Sequence, residues 1–65
     1  MIKINGEFFD FSEIPLMHFL EEHGYSVNRI AVERNEEMVS KSTFESCVLR
    51  DGDVVEIVSF VGGGK

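Results

Sequence analysis

The chain has 65 residues, with 12 Asp and Glu against 6 Lys and Arg, for a formal charge of −6. A domain this small buries only roughly 60% of its unfolded surface, so a cleft walled on all sides would remove much of what holds it together, and an independent enzyme is disfavoured. The acidic balance opposes nucleic-acid binding, for which a basic stripe is the expected footprint. The single cysteine, Cys47, cannot form an internal disulfide, and one thiol supplies neither a zinc site nor an iron–sulfur cluster. Met1 to Gly6 lacks the apolar run and small-residue cleavage site of a secretory signal, so a cytoplasmic location with no membrane association is expected.

In chain order, Ile2 and Ile4 alternate with Lys3, Asn5-Gly6 is a strong hairpin signal, and Phe9 and Phe11 alternate with Asp10. A two-residue turn pairs Ile4 with Glu7, which puts Phe9 and Phe11 on the face of Ile2 and Ile4 and leaves Phe8 on the other. Ser12 is a candidate helix cap, with Glu13 complementing the dipole and Pro15 in the first turn. Leu16, Phe19, Leu20 and His23 then form one stripe over about three turns, ended by Gly24. Val27 to Arg34 alternates as a strand with Ile30 and Val32 inward, and Met38-Val39 makes a short second strand after the polar turn at 35–37. Residues 40–45 read as a connector with a helical turn pinned by Phe44, and Cys47 and Leu49 alternate towards the core before the turn Arg50-Asp51-Gly52-Asp53. The run Val54 to Val61 is the most β-prone stretch and is expected to be a central strand, Val55 and Ile57 facing the helix. The predicted fold is α+β: a mixed sheet of four to five strands, the last parallel to the first, with one helix across one face, as in the β-grasp. The single domain spans 1–61, and 62–65 form a flexible glycine tail.

Little here suggests catalysis. His18 and His23 are five apart and do not share a helix face as a metal pair would, so no metal site is expected. Cys47 sits in an apolar alternation without an activating neighbour and reads as an inert core thiol. Glu21-Glu22 and Glu36-Glu37 diverge as neighbours do and read as solvated surface. Gly62-Gly63-Gly64 is no phosphate loop, since no helix with Lys-Ser follows. Residues without a β-carbon can instead pass through a slot too narrow for side chains. From Phe60 to Gly64 an extended tail reaches roughly 13 to 14 Å. The alternation also leaves Val58, Phe60, Phe8 and Ala31 on the sheet face opposite the helix, a candidate partner interface rimmed by acids.

The turn Ile4-Asn5-Gly6-Glu7, the helix residues Leu16 and Phe19-Leu20, the segment Val32-Glu33-Arg34-Asn35, the turn Asp51-Gly52-Asp53 and above all the run from Val54 to Gly64 resemble the ThiS family of ubiquitin-like sulfur carriers of thiamin (thiazole) biosynthesis. The resemblance implies a carrier that catalyses nothing and binds no cofactor of its own. Its terminal glycine, Gly64, would be adenylated by an activating enzyme of ThiF type using ATP and Mg²⁺, then converted to a thiocarboxylate with sulfur from a persulfide donor. A thiazole synthase of ThiG type would take the sulfur, with Gly62 and Gly63 threading each partner's active site and the free carrier a monomer. Such carriers end at the glycine, whereas Lys65 follows Gly64 here; the form ending at Gly64 is expected to be the substrate for adenylation and the 65-residue form not. Two other readings stay open: a carrier for another pathway, like the small subunit of molybdopterin synthase, and a non-covalent ubiquitin-like adaptor with an idle tail.

Overall fold

A computed structural model describes residues 1–60 of the chain. Strands β1 (Ile2–Ile4) and β2 (Glu7–Phe9) form an antiparallel hairpin with Ile4 opposite Glu7 and Ile2 opposite Phe9, the predicted register. Asn5 (φ 52°) and Gly6 (φ 82°) both take left-handed backbone, the geometry a two-residue turn needs to match strand twist.

The chain then departs from expectation. Ser12 does not cap a helix, and Glu13 does not lie in its first turn. Glu13–Pro15 instead form a short strand, β3, antiparallel to β6 (Val48–Arg50), with Ile14 opposite Leu49. Helix α1 runs from Leu16 to Glu22, two turns rather than three, with Pro15 extended at its cap position and no side-chain cap. Its first amide, that of Leu16, donates to the Cys47 carbonyl at 2.9 Å, so the partner strand replaces the cap that Ser12 was expected to supply. Proline at the junction is compatible with both: its φ of −62° suits an extended residue, and it has no amide to satisfy. Gly24 (φ 75°) ends the helix as expected.

A 3₁₀ turn at Val27–Arg29 precedes β4 (Ile30–Arg34), which pairs with β5 (Glu37–Val39) through a turn at Asn35 and Glu36. A longer 3₁₀ segment, Lys41–Ser46, buries Phe44. The last strand, β7, spans Val54–Ser59 and so ends earlier than the predicted Val61. It runs parallel to β1 and antiparallel to β4, giving the main sheet the order β2-β1-β7-β4-β5. The longest strand thus occupies the centre, with α1 and the 3₁₀ segment at Lys41–Ser46 packed on one side. Ile2, Ile4, Ile30, Val32, Val55 and Ile57 meet Leu16, Phe19, Leu20, Phe44, Ile14 and Leu49 in a single core.

Side chains tie the sheet's ends. The Asn5 amide group bonds the backbone of Ile57 on both sides, accepting from its amide at 2.7 Å and donating to its carbonyl at 3.3 Å, which extends the β1–β7 pairing past the end of β1. At the other end Asp53, only 9% exposed, accepts from Arg34 Nε at 2.8 Å, Asn35 Nδ2 at 3.0 Å and the Arg50 amide at 2.8 Å. Burial opposes the charge on Asp53, but the Arg50 amide, Asn35 and the Arg34 guanidinium outweigh it and hold the carboxyl below its ordinary range. Asn35 is itself fixed by two bonds to the backbone of Val54, at 2.7 and 2.9 Å. One carboxylate therefore joins the β4–β5 turn to the turn that launches β7.

Candidate functional site

Period-2 pleating gives the main sheet a second face, away from the core. The pairings order it into rows. Phe8, Lys3 and Val54 lie side by side across β2, β1 and β7. Glu56, Glu33 and Met38 form the next row across β7, β4 and β5. Val58 and Ala31 pair in the third. Phe60 follows, its amide donating to the Arg29 carbonyl at 2.6 Å, so sheet pairing continues one step beyond β7.

The pairings put Phe8, Val58 and Ala31 on this face, and Phe60 follows the end of β7. Phe8, Val58 and Phe60 are 64%, 57% and 51% exposed, and Ala31 is half-buried between its neighbours. Met38, 67% exposed, adds a fifth apolar side chain. The Lys3 ammonium lies 5.5 Å from the centroid of the Phe8 ring, so its stem and charge cover one edge of the patch. Of the six exposed large apolar side chains among the described residues, all but Met1 belong to this group once Val54 is counted.

The sequence alone does not single out the central row. Glu33 and Glu56 are direct cross-strand partners, on the same outward face, and among the described residues no cation lies within 4 Å of either. Their alternation with Val32, Arg34, Val55 and Ile57 was visible in the sequence. Which residue of β7 faces which residue of β4 was not.

The other candidates stay apart. His18 Nε2 lies 3.4 Å from Glu22 on the helix surface. His23, expected to complete the buried stripe, is an exposed residue at the helix end, although its ring stacks on Phe19 at 4.0 Å and meets Phe9 edge-on. Its Nδ1 is 3.1 Å from the Phe19 carbonyl. Among the described residues no three His, Cys, Asp or Glu gather to hold a metal. Glu21, Glu22, Glu36 and Glu37 are all exposed. Cys47 is half-buried against the core, beside a groove of about 480 Å³ between β5 and the 3₁₀ segment, with Arg34 Nη1 3.9 Å from its sulfur. The groove's hydroxyls are turned to the backbone, Thr43 donating to the Ser40 carbonyl and Ser46 to that of Thr43. Gly62, Gly63, Gly64 and Lys65 lie outside the described residues. No helix among the described residues is long and apolar enough to cross a membrane.

The chain is similar to known proteins. The chain is 45% identical over 65 residues to a thiazole synthase of Paramagnetospirillum magneticum, covering 98% of the chain but only 20% of that protein. It is 39% identical over 64 residues to the sulfur carrier protein ThiS of Thermus thermophilus, covering 98% of the chain and 100% of the relative. The crystal structure of the thiamine biosynthesis protein ThiS from Geobacter metallireducens superposes with a TM-score of 0.76 at 27% identity, covering 97% of each chain, and shares the β-grasp fold. The ThiS family pattern matches residues 2–64, from the first residue of β1 to the third glycine of the tail, and the chain belongs to the ThiS family.

Proposed function

We propose that this protein is a sulfur carrier of thiamin biosynthesis whose working group is the carboxylate of Gly64. The observation that carries the reading is the extent of the family match, which spans the sheet and stops at Gly64. A terminal carboxylate is ionised near neutral pH and resists nucleophiles, so it must first be activated. Its oxygen attacks the α-phosphate of ATP in a ThiF-type enzyme, with Mg²⁺, and pyrophosphate leaves. The outer sulfur of a persulfide donor then displaces AMP from the acyl carbon, giving an acyl disulfide; a thiol attacks the donor's sulfur in that bond, so that the thiocarboxylate leaves and the donor is left in a disulfide. The thiocarboxylate sulfur passes to the acceptor, a thiazole synthase of ThiG type. The chemistry belongs to the partners; the carrier itself catalyses nothing and requires no bound cofactor.

Each part of the chain has a task in this cycle. Gly62 and Gly63 let the end pass into a narrow active site, and the face of Val58, Phe60, Phe8 and Ala31 docks on the enzyme that receives it. Ordering each glycine costs roughly 1–2 kcal/mol of backbone entropy, which weakens the complexes and suits a carrier that must leave one enzyme for the next. The thiazole synthase that contains a carrier-like stretch supports that enzyme as the acceptor, because covalent linkage raises the effective concentration of a transient partner.

The test is to incubate the chain ending at Gly64 with the ThiF-type enzyme of the same organism, ATP, Mg²⁺, a persulfide donor and a thiol reductant, then record intact mass. Replacement of one oxygen by sulfur at the terminus is expected, with the 65-residue form unreacted. Partner function that persists after deletion of Gly63-Gly64 would overturn the carrier reading in favour of an adaptor.

A further inference from the structure

Strand β7 is held unequally along its two edges. On one side β4 pairs with it from Val55 to Ser59, and the Phe60 amide continues to the Arg29 carbonyl. On the other side β1 stops at Ile4, opposite Val55. The Phe60 amide bonds Arg29 and the Asn35 amide bonds the Val54 carbonyl. By the alternation of an antiparallel ladder, the backbone groups of Val54, Glu56, Val58 and Phe60 therefore face β4, and those of Val55, Ile57 and Ser59 face the β1 side. Val55 gives its carbonyl to the Asn5 amide at 2.9 Å. Ile57 meets no strand there. Both its backbone groups go to the Asn5 side chain, whose Oδ1 accepts from the Ile57 amide at 2.7 Å and whose Nδ2 donates to the Ile57 carbonyl at 3.3 Å. Ser59, the next residue to face that edge, has no backbone partner on it among the described residues.

The turn itself does not require this side chain. Asn5 sits at φ 52°, a conformation glycine adopts more readily, and a Gly-Gly pair makes the same two-residue turn. What asparagine adds is an acceptor and a donor side by side, which stand in for one more residue of β1 just where the central strand runs out towards the tail. We infer that Asn5 is a positioning residue for the tail: by clamping Ile57 it keeps the end of β7 in the sheet, so that the segment bearing the Gly64 carboxylate is launched from a fixed strand end. This rests on the carrier reading above and adds to it a residue at the far end of the chain on which delivery of the carboxylate depends, whichever enzyme takes it. Order already present in the free carrier does not have to be imposed on docking, so its loss shows as weaker binding and not as slower chemistry.

The test compares the wild type with N5G, which keeps the turn and loses the clamp. In amide exchange on the 65-residue chain, N5G is expected to speed exchange about tenfold at Ile57 and less than about twofold at its neighbour Val58, which faces β4. In ATP–pyrophosphate exchange with the ThiF-type enzyme, using chains that end at Gly64, N5G is expected to raise KM for the carrier about fivefold with kcat unchanged. D53N, which loosens the opposite end of β7, is expected to lower the urea midpoint and leave KM within about twofold of the wild type. N5D keeps the oxygen that takes the Ile57 amide and loses the donor; it is expected to fall between N5G and the wild type in both measurements, and replaces N5G should that variant not fold. Equal acceleration at Ile57 and Val58 overturns the inference, since the side chain would then support the fold as a whole. So does an unchanged KM, a fall in kcat in its place, or an equal rise in KM for D53N, and each of these leaves the carrier reading intact. A wild-type chain that supports no pyrophosphate exchange overturns the carrier reading and this inference with it.

Discussion

The two faces of the central sheet are built from the same strands and put to opposite uses. On β7 the inward residues Val55 and Ile57 are buried in the core, while Val54, Glu56 and Val58 between them are exposed. Side by side, the faces show how the described residues divide their apolar content: one layer of helix and 3₁₀ segment covers one face, and the side chains of the other are exposed. The covered face holds the molecule together, and the bare face is free to meet a partner.

The difference can be broken most severely from the covered side. Phe44→Ala should cost about 3–5 kcal/mol, a large share of the roughly 3–10 kcal/mol expected for a domain of this length, and urea denaturation followed by circular dichroism should show the chain largely unfolded or close to it. Asp53→Asn keeps the shape but loses the charge that gathers Arg34, Asn35 and the Arg50 amide, at an expected cost of about 2 kcal/mol near neutral pH. Because the folded-state pKa of Asp53 is depressed, its contribution is complete above the ordinary value of 3.8 and is lost as the pH falls through the lower folded value. The wild-type advantage in urea midpoint should therefore vanish in strong acid; an advantage that grew on acidification would contradict the network's charge.

On the bare face the expected effects on stability are small and those on partners large. Val58→Ser and Phe60→Ser should each leave the urea midpoint within about 0.5 kcal/mol of the wild type and raise KM in the activation assay. Equal losses of stability on both faces would mean that the outer residues are structural after all. The smallest effect is expected at the acidic pair: Glu33→Gln alone should raise stability by a few tenths of a kcal/mol, by removing a like-charge neighbour, measurable as a small upward shift in urea midpoint.

Much of this division is legible in the sequence because β-structure alternates with a period of two. Ile2, Ile4, Ile30, Val32, Val55 and Ile57 can be assigned to the core, and Phe8 and Val58 to the outside, from their neighbours alone. The Asn5-Gly6 turn and its register follow from local backbone preference. The start of the helix is not legible in this way. Ser12, Glu13 and Pro15 have the composition of a helix cap and first turn, yet they form part of an extended segment that pairs with β6. The competing partner lies more than thirty residues away, and no local pattern announces it. His23 fits the stripe by spacing, but the helix is a turn shorter than that spacing assumed.

By itself the sequence determined the alternation of faces, the tight turn at Asn5-Gly6, the helix's apolar stripe and its stop at Gly24, because each depends on residues within a few positions of one another. Only the tertiary structure decided that β3 pairs with β6, that Asp53 gathers Arg34, Asn35 and the Arg50 amide, and that Glu33 faces Glu56. Those contacts depend on which strands become neighbours and in what register, and that is set by how the whole core packs rather than by any one stretch of chain.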